Sequence, residues 1–166
     1  IPTGSIATTA LPIVLNNGGN IAITTEIGNF IPIYGSISGT GNLNFLVNTG
    51  SFGTIVQLPS INITGNFDAL INSSNNNMVD LSSSFAFNGD VSTSGSQVYH
   101  NAIVTSESFS TPSTPTIPTV LTAGGNGIDF QSTVDIGIGL SVNGPTLFEG
   151  DLTSGVTTSL NGILSG

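Results

Sequence analysis

Apolar and polar residues alternate over many short stretches of the chain. The clearest stretch places Val134, Ile136, Ile138, Leu140 and Val142 on one face, with small or polar residues on the other. A period of two is typical of a β-strand with one buried face, so this stretch predicts a half-buried strand. Further strands are predicted at Ile21–Ile27, Ile31–Ser38, Leu43–Val47, Thr54–Leu58, Ile61–Ile63, Phe67–Ile71, Phe85–Phe87, Val98–Thr105 and Leu147–Thr153.

Asn-Gly pairs lie between many of these stretches and favour tight turns with positive backbone angles. They occur at Asn17-Gly18, Asn88-Gly89, Asn126-Gly127, Asn143-Gly144 and Asn161-Gly162. About ten short strands with turns at such intervals predict an all-β fold, an antiparallel β-sandwich of jelly-roll-like or Ig-like type. A β-solenoid is the competing architecture. We place it second because we find no fixed repeat period in the sequence.

The N-terminal segment, residues 1–19, differs from the rest of the chain. Its apolar residues occupy both alternating sets, which favours burial of both faces of a strand: Ile6, Ala7, Ala10, Leu11, Ile13, Val14 and Leu15. Residues 16–19 read Asn-Asn-Gly-Gly and predict a flexible joint. We therefore predict a donor-strand arm with its joint at residues 1–19 and a β-sandwich head at 20–166. The arm would complete the sheet of a neighbouring copy by β-strand addition.

Two alternatives to this donor arm remain open. The simpler one is a first strand that folds into its own domain. The other is donation of the C-terminal stretch, in which Val156, Thr158, Leu160 and Leu164 share an alternating face. We prefer the N-terminal arm because a joint follows it.

The composition excludes several classes of function. The 166 residues include no Lys or Arg, nine carboxylates and one His, for a formal net charge of −9 at pH 7. Phosphate contacts and oxyanion stabilisation depend heavily on cationic side chains, so we expect neither a nucleic-acid partner nor an enzyme. His100 is the only candidate general base, and its strand setting favours a surface or packing role. A glycoside hydrolase with two carboxylates is the remaining enzymatic alternative.

No cofactor and no metal site is predicted. The chain has no Cys, which excludes thiolate sites and disulfides. Glu149 with Asp151, and Asp129 with Asp135, lie close in the sequence, and oxygen ligands of this kind suit calcium. They do not have the spacing of a known calcium loop.

Several features favour a secreted glycoprotein. Two N-x-[ST] sequons predict N-linked glycans at Asn62 and Asn72. The chain begins with Ile-Pro rather than Met, which is typical of a processed, exported protein. Its longest apolar runs, such as Leu11–Leu15, are too short to span a bilayer. We therefore expect an extracellular protein without a membrane span.

Taken together, these features resemble a known family. A processed all-β chain of this size, without Cys, Lys or Arg, rich in Ser, Thr and Asn, with a short apolar arm before Asn16-Asn17-Gly18-Gly19, is similar to the subunits of archaeal donor-strand filaments. These are the threads of thermoacidophiles and the related bundling pili. The resemblance implies a sandwich head, a donor strand at Ile6–Leu15 and glycans at Asn62 and Asn72. It also implies a head-to-tail homopolymer on the cell surface, a pilus that acts in adhesion or biofilm formation.

The main alternative function is an extracellular binding module, such as a carbohydrate-binding, viral spike or surface-layer β-sandwich. The chain has no Trp and only two Tyr. Because sugars usually stack on aromatic faces, this scarcity counts against carbohydrate binding. The sequence therefore favours the filament subunit.

Overall fold

The structure is a computed structural model that describes residues 11–25, 30–50, 53–73, 78–105, 119–137, 139–154, 159–162 and 164–165. Within these ranges the chain forms 21 β-strands and no helix, which confirms the all-β class. In the first half of the chain the strands are β1 (Ile13–Leu15), β2 (Gly19–Thr25), β3 (Phe30–Pro32), β4 (Ile37–Thr40), β5 (Leu43–Thr49), β6 (Ile55–Leu58), β7 (Ile61–Thr64), β8 (Phe67–Ser73), β9 (Met78–Val79) and β10 (Ser84–Phe87). The second half contains β11 (Val91–Thr93), β12 (Gln97–Tyr99), β13 (Ala102–Thr105), β14 (Thr119–Ala123), β15 (Ile128–Phe130), β16 (Val134–Ile136), β17 (Leu140–Asn143), β18 (Thr146–Phe148), β19 (Leu152–Ser154), β20 (Ser159–Asn161) and β21 (Leu164–Ser165).

The strands are arranged as a β-solenoid with three sheets. Sheet A has the order β1-β4-β7-β11-β14-β17-β20, sheet B the order β2-β5-β8-β12-β15-β18-β21, and sheet C the order β19-β16-β13-β10-β6-β3. The chain visits sheets A, B and C in turn, and we call one such circuit a coil. Neighbouring strands in each sheet come from consecutive coils and run parallel, as β4 and β7 do. The one antiparallel pair among the described strands is β8 with the short β9.

The predicted antiparallel sandwich or jelly roll is therefore wrong, and the competing solenoid is the observed architecture. Alternation with a period of two gives the inward and outward positions of a strand but carries no information on its direction. The stretch Val134–Val142, predicted as one strand, is divided between β16 in sheet C and β17 in sheet A. The stretch Val98–Thr105 is divided in the same way between sheets B and C. The Asn-Gly pairs predicted as tight turns include corners between sheets, since Asn17-Gly18 and Asn143-Gly144 each lie at the junction of a strand of sheet A and a strand of sheet B.

The sequence shows no fixed repeat period because the coils differ in length. Ile37 pairs with Ile61, and Ile61 in turn pairs with Val91, so the second of these two coils is the longer one. The coil that separates the register partners Val142 and Leu160 is shorter than either. Insertions at the corners therefore blur the period. A local signal is nevertheless present, because Thr-Gly-Asn at residues 40–42 recurs at 64–66, and Ser-Gly-Ser follows at 94–96.

These recurring triplets form the corner between sheets A and B. The Asn42 side-chain Oδ1 accepts a hydrogen bond from the backbone N–H of Asn66 at 2.9 Å. Asn66 Oδ1 in turn accepts one from Ser96 N at 2.9 Å, and Ser96 Oγ accepts one from Asn126 N at 3.0 Å. The corner therefore has a ladder of side-chain acceptors, which pairs backbone N–H groups where the strands are interrupted.

The core is a continuous column inside the three sheets. Its inward side chains are buried and mostly Ile, Leu, Val and Phe. Tyr99, Phe130 and Phe148 are register partners on three consecutive coils, and their rings stack with centroids 5.4 and 5.1 Å apart. Stacked pairs of this kind each add about 0.5–1.5 kcal/mol beyond the burial of their area. Packing between coils therefore reinforces the backbone ladder.

A buried polar pair accompanies the stacked rings. The Tyr99 hydroxyl donates a hydrogen bond to Gln97 Oε1 at 3.0 Å, and Gln97 Nε2 donates to the Thr122 carbonyl at 2.9 Å. Both side chains are fully buried. Burial raises the pKa of the Tyr99 hydroxyl well above its ordinary value, so this group stays a donor.

The corner glycines give a test of the fold. A Cβ on Gly65 would overlap the Gly41 carbonyl and lie 2.8 Å from Asn42 N, because the backbones of consecutive coils pass close together there. We expect Gly65→Ala to lower the free energy of unfolding by about 2–3 kcal/mol. Chemical denaturation monitored by circular dichroism measures the change.

The matched control is Thr64→Ala, the neighbouring position, whose side chain is exposed. This variant should change the free energy of unfolding by less than about 0.5 kcal/mol. If Gly65→Ala were as stable as Thr64→Ala, the close approach of the coils at this corner would be wrong.

Candidate assembly surface

His100 lies on the outer face of sheet B, in the loop after β12. Its Nδ1 is 2.7 Å from Gln131 Oε1, and its Nε2 is 3.1 Å from Asp68 Oδ1. Gln131 Nε2 also donates to Asp129 Oδ2 at 3.0 Å. Both ring nitrogens are thus occupied by side chains of neighbouring coils. When His100 is protonated, its contact with Asp68 is an ion pair. This arrangement links three coils and leaves neither nitrogen free to act as a base.

The carboxylates considered for calcium do not converge. Among the residues that the structure describes, no group of three or more His, Cys, Asp or Glu side chains could hold a metal ion. Asp135 lies on β16 between the register partners Val104 and Thr153, and Asp129 lies on β15 between Val98 and Leu147. These two carboxylates are on different sheets.

The two predicted glycosylation sites differ in exposure. Asn62 is exposed on the outer face of β7, and Thr64 of the same sequon is exposed beside it. Asn72 is half-buried on β8 and pairs with Val79 of β9. Ser74, which completes the second sequon, lies outside the described residues. Asn62 is therefore the more accessible acceptor.

The outer face of sheet A presents a column of uncharged polar side chains. Its members are register partners on consecutive coils: Ser38, Asn62, Ser92, Thr122, Asn143 and Asn161. Asn161 Nδ2 donates to Asn143 Oδ1 at 3.0 Å, and Asn143 Nδ2 donates to Thr122 Oγ1 at 3.3 Å. On sheet B, Asn44 Nδ2 likewise donates to Asn20 Oδ1 at 2.8 Å. These side chains bond along the solenoid axis without any charge.

The first coil leaves the apolar core open. An apolar cavity of about 240 Å³ at this end is lined by Leu11, Ile21, Ile23, Ile33, Ile37 and Phe45, among others. Leu11 is 69% exposed, and Ile13, an inward residue of this coil, is 39% exposed. Its register partners on the next two coils, Ile37 and Ile61, are buried. None of the described residues forms a coil before this one.

At both ends of the solenoid the outermost described strands lie at the edges of their sheets. Among the described strands, β1, β2 and β3 have a neighbouring strand on one side only, and so do β19, β20 and β21. None of these six strands contains a charged residue. Sheet edges are normally protected by charges, prolines or covering segments, because they offer free backbone groups to another strand. These two ends are therefore candidate assembly surfaces.

The predicted donor strand lies partly in this region. Ile13–Leu15 forms β1 and pairs in parallel with β4 of its own chain, and Leu11 lines the opening. Ile6, Ala7 and Ala10 lie outside the described residues. In the rival C-terminal donor, Leu160 and Leu164 belong to β20 and β21, which lie in different sheets. Val156 and Thr158 are outside the described residues.

Sequence reasoning missed the edge of β2 and the apolar opening. Ile21 and Ile23 were predicted as part of an ordinary strand. Only the number and order of the coils shows that this strand lies at the end of a sheet. The recurring corner triplets are a signal that would have shown this. The first triplet, at residues 40–42, lies in the second coil, so β2 belongs to the coil before it, at the end of the solenoid.

The described residues include no helix long and apolar enough to cross a membrane. Comparison with known proteins finds no match: no family model, no curated protein and no solved structure is significantly similar to this chain.

Proposed function

We propose that this protein is a structural subunit of an extracellular filament, and that its copies associate head to tail by strand addition. The observation that carries the proposal is the pair of solenoid ends, whose edge strands contain no charged residue. Each end carries strands of the same three sheets, and within each sheet the strand at one end runs in the same direction as the strand at the other. One copy placed above another along the axis would continue every sheet.

Such a contact joins two different surfaces, so it does not close on itself. A heterologous contact without closure produces an open filament. The apolar opening of the first coil supplies a hydrophobic surface that burial in the contact would stabilise. Because the end strands contain no charged residue, the end strands of two successive copies do not repel each other.

The location and the role are part of the same proposal. A surface of Ser, Thr and Asn side chains bonded to one another needs no ion pairs, which suits a cell-surface pilus exposed to acidic medium. We propose that the filament acts in adhesion or biofilm formation, as do the archaeal filaments whose subunits this chain resembles in composition. No enzymatic activity is part of the proposal.

Leu11 gives a test of the assembly. It lines the opening and is largely exposed, so Leu11→Asp should leave the fold of a single copy intact. A carboxylate at the opening would have to be desolvated in the contact. We expect the critical concentration for filament formation to rise at least about tenfold. Negative-stain electron microscopy and sedimentation measure it.

The matched control is Thr122→Asp, which adds the same charge at an exposed position of a middle coil that belongs to neither sequon. Its filaments should form as those of the unchanged protein do. If the unchanged protein formed no filaments at any concentration, the proposed function would be contradicted. If Leu11→Asp and Thr122→Asp assembled equally well, the first coil would not be the contact.

The proposed glycans are tested separately. Asn62 is exposed and Asn72 is half-buried within a strand pair, so we expect Asn62 to carry the greater occupancy. Intact mass spectrometry of native material should show a mass above that of the polypeptide, and Asn62→Gln should remove most of the excess. A native mass equal to that of the polypeptide would contradict glycosylation.

A further inference from the structure

The three edges of the first coil are not equally able to accept a strand. Ile13 N donates to Ser36 O at 2.8 Å, and Ile33 N donates to Gln57 O at 3.1 Å, so both residues bond toward the interior of their sheets. Successive residues of a strand direct their backbone groups to opposite sides. The ring nitrogens of Pro12 and Pro32 therefore face the open side. Each removes a donor there, so the edges of sheets A and C are partly blocked.

The edge of sheet B has no such block. Strand β2 is seven residues long and contains no Pro. Gly19 N donates to Asn42 O at 2.9 Å, and Thr25 O accepts from Gly50 N at 2.8 Å, so these positions bond to the next coil. By alternation, Asn20, Ala22 and Thr24 direct their backbone N–H and C=O groups to the open side. None of the described residues pairs with them there.

The partner strand that fits this edge is β21 at the far end of the same sheet. It pairs in parallel with β18 and carries no charge. It is two residues long, but sheet B already pairs a long strand with a short one, since seven-residue β8 pairs with three-residue β12. A length difference of this kind is therefore compatible with the ladder.

The corners fix the register between two copies. In sheet B the residue that opens each strand aligns with the next, from Gly19 through Leu43 and Phe67, and at the far end from Thr146 to Leu164. We infer that β2 of one copy accepts β21 of a second copy, with Leu164 opposite Gly19 and Ser165 opposite Asn20. The N–H of Asn20 then donates to the Leu164 carbonyl of the other copy. This inference rests on the proposed head-to-tail filament and names its contact.

The chain has no Cys, so a designed pair reports on this register without background. Register partners on neighbouring strands lie about 4.8 Å apart, within the range that a disulfide can bridge. Within one copy, Asn20 and Ser165 occupy the two opposite ends of sheet B and cannot meet. The double variant Asn20→Cys with Ser165→Cys should therefore form disulfides only between copies. Mild oxidation of assembled protein should give a ladder of multimers on a non-reducing gel.

Two matched variants complete the experiment. Asn20→Cys with Thr153→Cys places the second thiol at the same end but on sheet C, and should yield less than about a tenth of the crosslinked product. Asn20→Cys alone should remain monomeric on the gel. A ladder from the first variant alone supports the inference. Equal ladders from both double variants overturn the register, and a disulfide dimer from Asn20→Cys alone overturns the head-to-tail contact in favour of β2 pairing with β2.

Failure of the inference can be told apart from failure of the proposed function. If electron microscopy shows filaments but the Asn20/Ser165 variant gives no ladder, the filament stands and the β2–β21 contact is wrong. If no filaments form from any variant or from the unchanged chain, the proposed function itself is contradicted.

Discussion

Backbone hydrogen bonds between parallel strands in register join each coil of this solenoid to the next. This ladder requires every coil to present an inward residue at the same height as its neighbours, so Tyr99, Phe130 and Phe148 become stacked partners. It also brings consecutive backbones close together at the corners, where Gly41 and Gly65 leave room for the passing chain. At these corners, Asn side chains accept hydrogen bonds from backbone N–H groups that lie between the strands of the ladder.

The same ladder constrains charge. Register partners lie about 4.8 Å apart, and two like charges at that distance repel by about 1 kcal/mol in water and by more where water is excluded. Asp68 has Asn44 and Val98 as its register partners, and Asp135 has Val104 and Thr153. No carboxylate on these strands therefore has another as its register partner. Neutral Ser, Thr and Asn side chains repeat on successive coils without this repulsion and bond to each other instead, which gives a physical reason for a chain almost without charges.

Part of the fold could be predicted from the sequence and part could not. Alternation correctly indicated strands at Leu43–Val47 and Phe67–Ile71, which lie within β5 and β8. It could not give their direction, because inward and outward positions alternate identically in parallel and antiparallel strands. The corner glycines resemble hairpin glycines for the same local reason. Coils of unequal length concealed the repeat, as the short step from Val142 to Leu160 and the long step from Ile61 to Val91 illustrate.

The candidate site was predicted less completely than the strands. The apolar residues Leu11–Leu15 drew attention to the N-terminal region, and the structure places them at the open first coil. The position of β2 as the outermost described strand of sheet B depends on the order of the strands, and local sequence does not encode that order.

The parallel register of consecutive coils is tested most directly by through-space amide and α-proton contacts in solution NMR. The parallel ladder predicts contacts in which both partners advance together, such as Val47 with Ile71 and Thr49 with Ser73. The ladder also predicts contacts of Val91 with Leu121 and of Thr93 with Ala123, where residue numbers again increase along both strands. Contacts in which one partner advances while the other retreats, as in hairpins across the Asn-Gly turns, would contradict the solenoid.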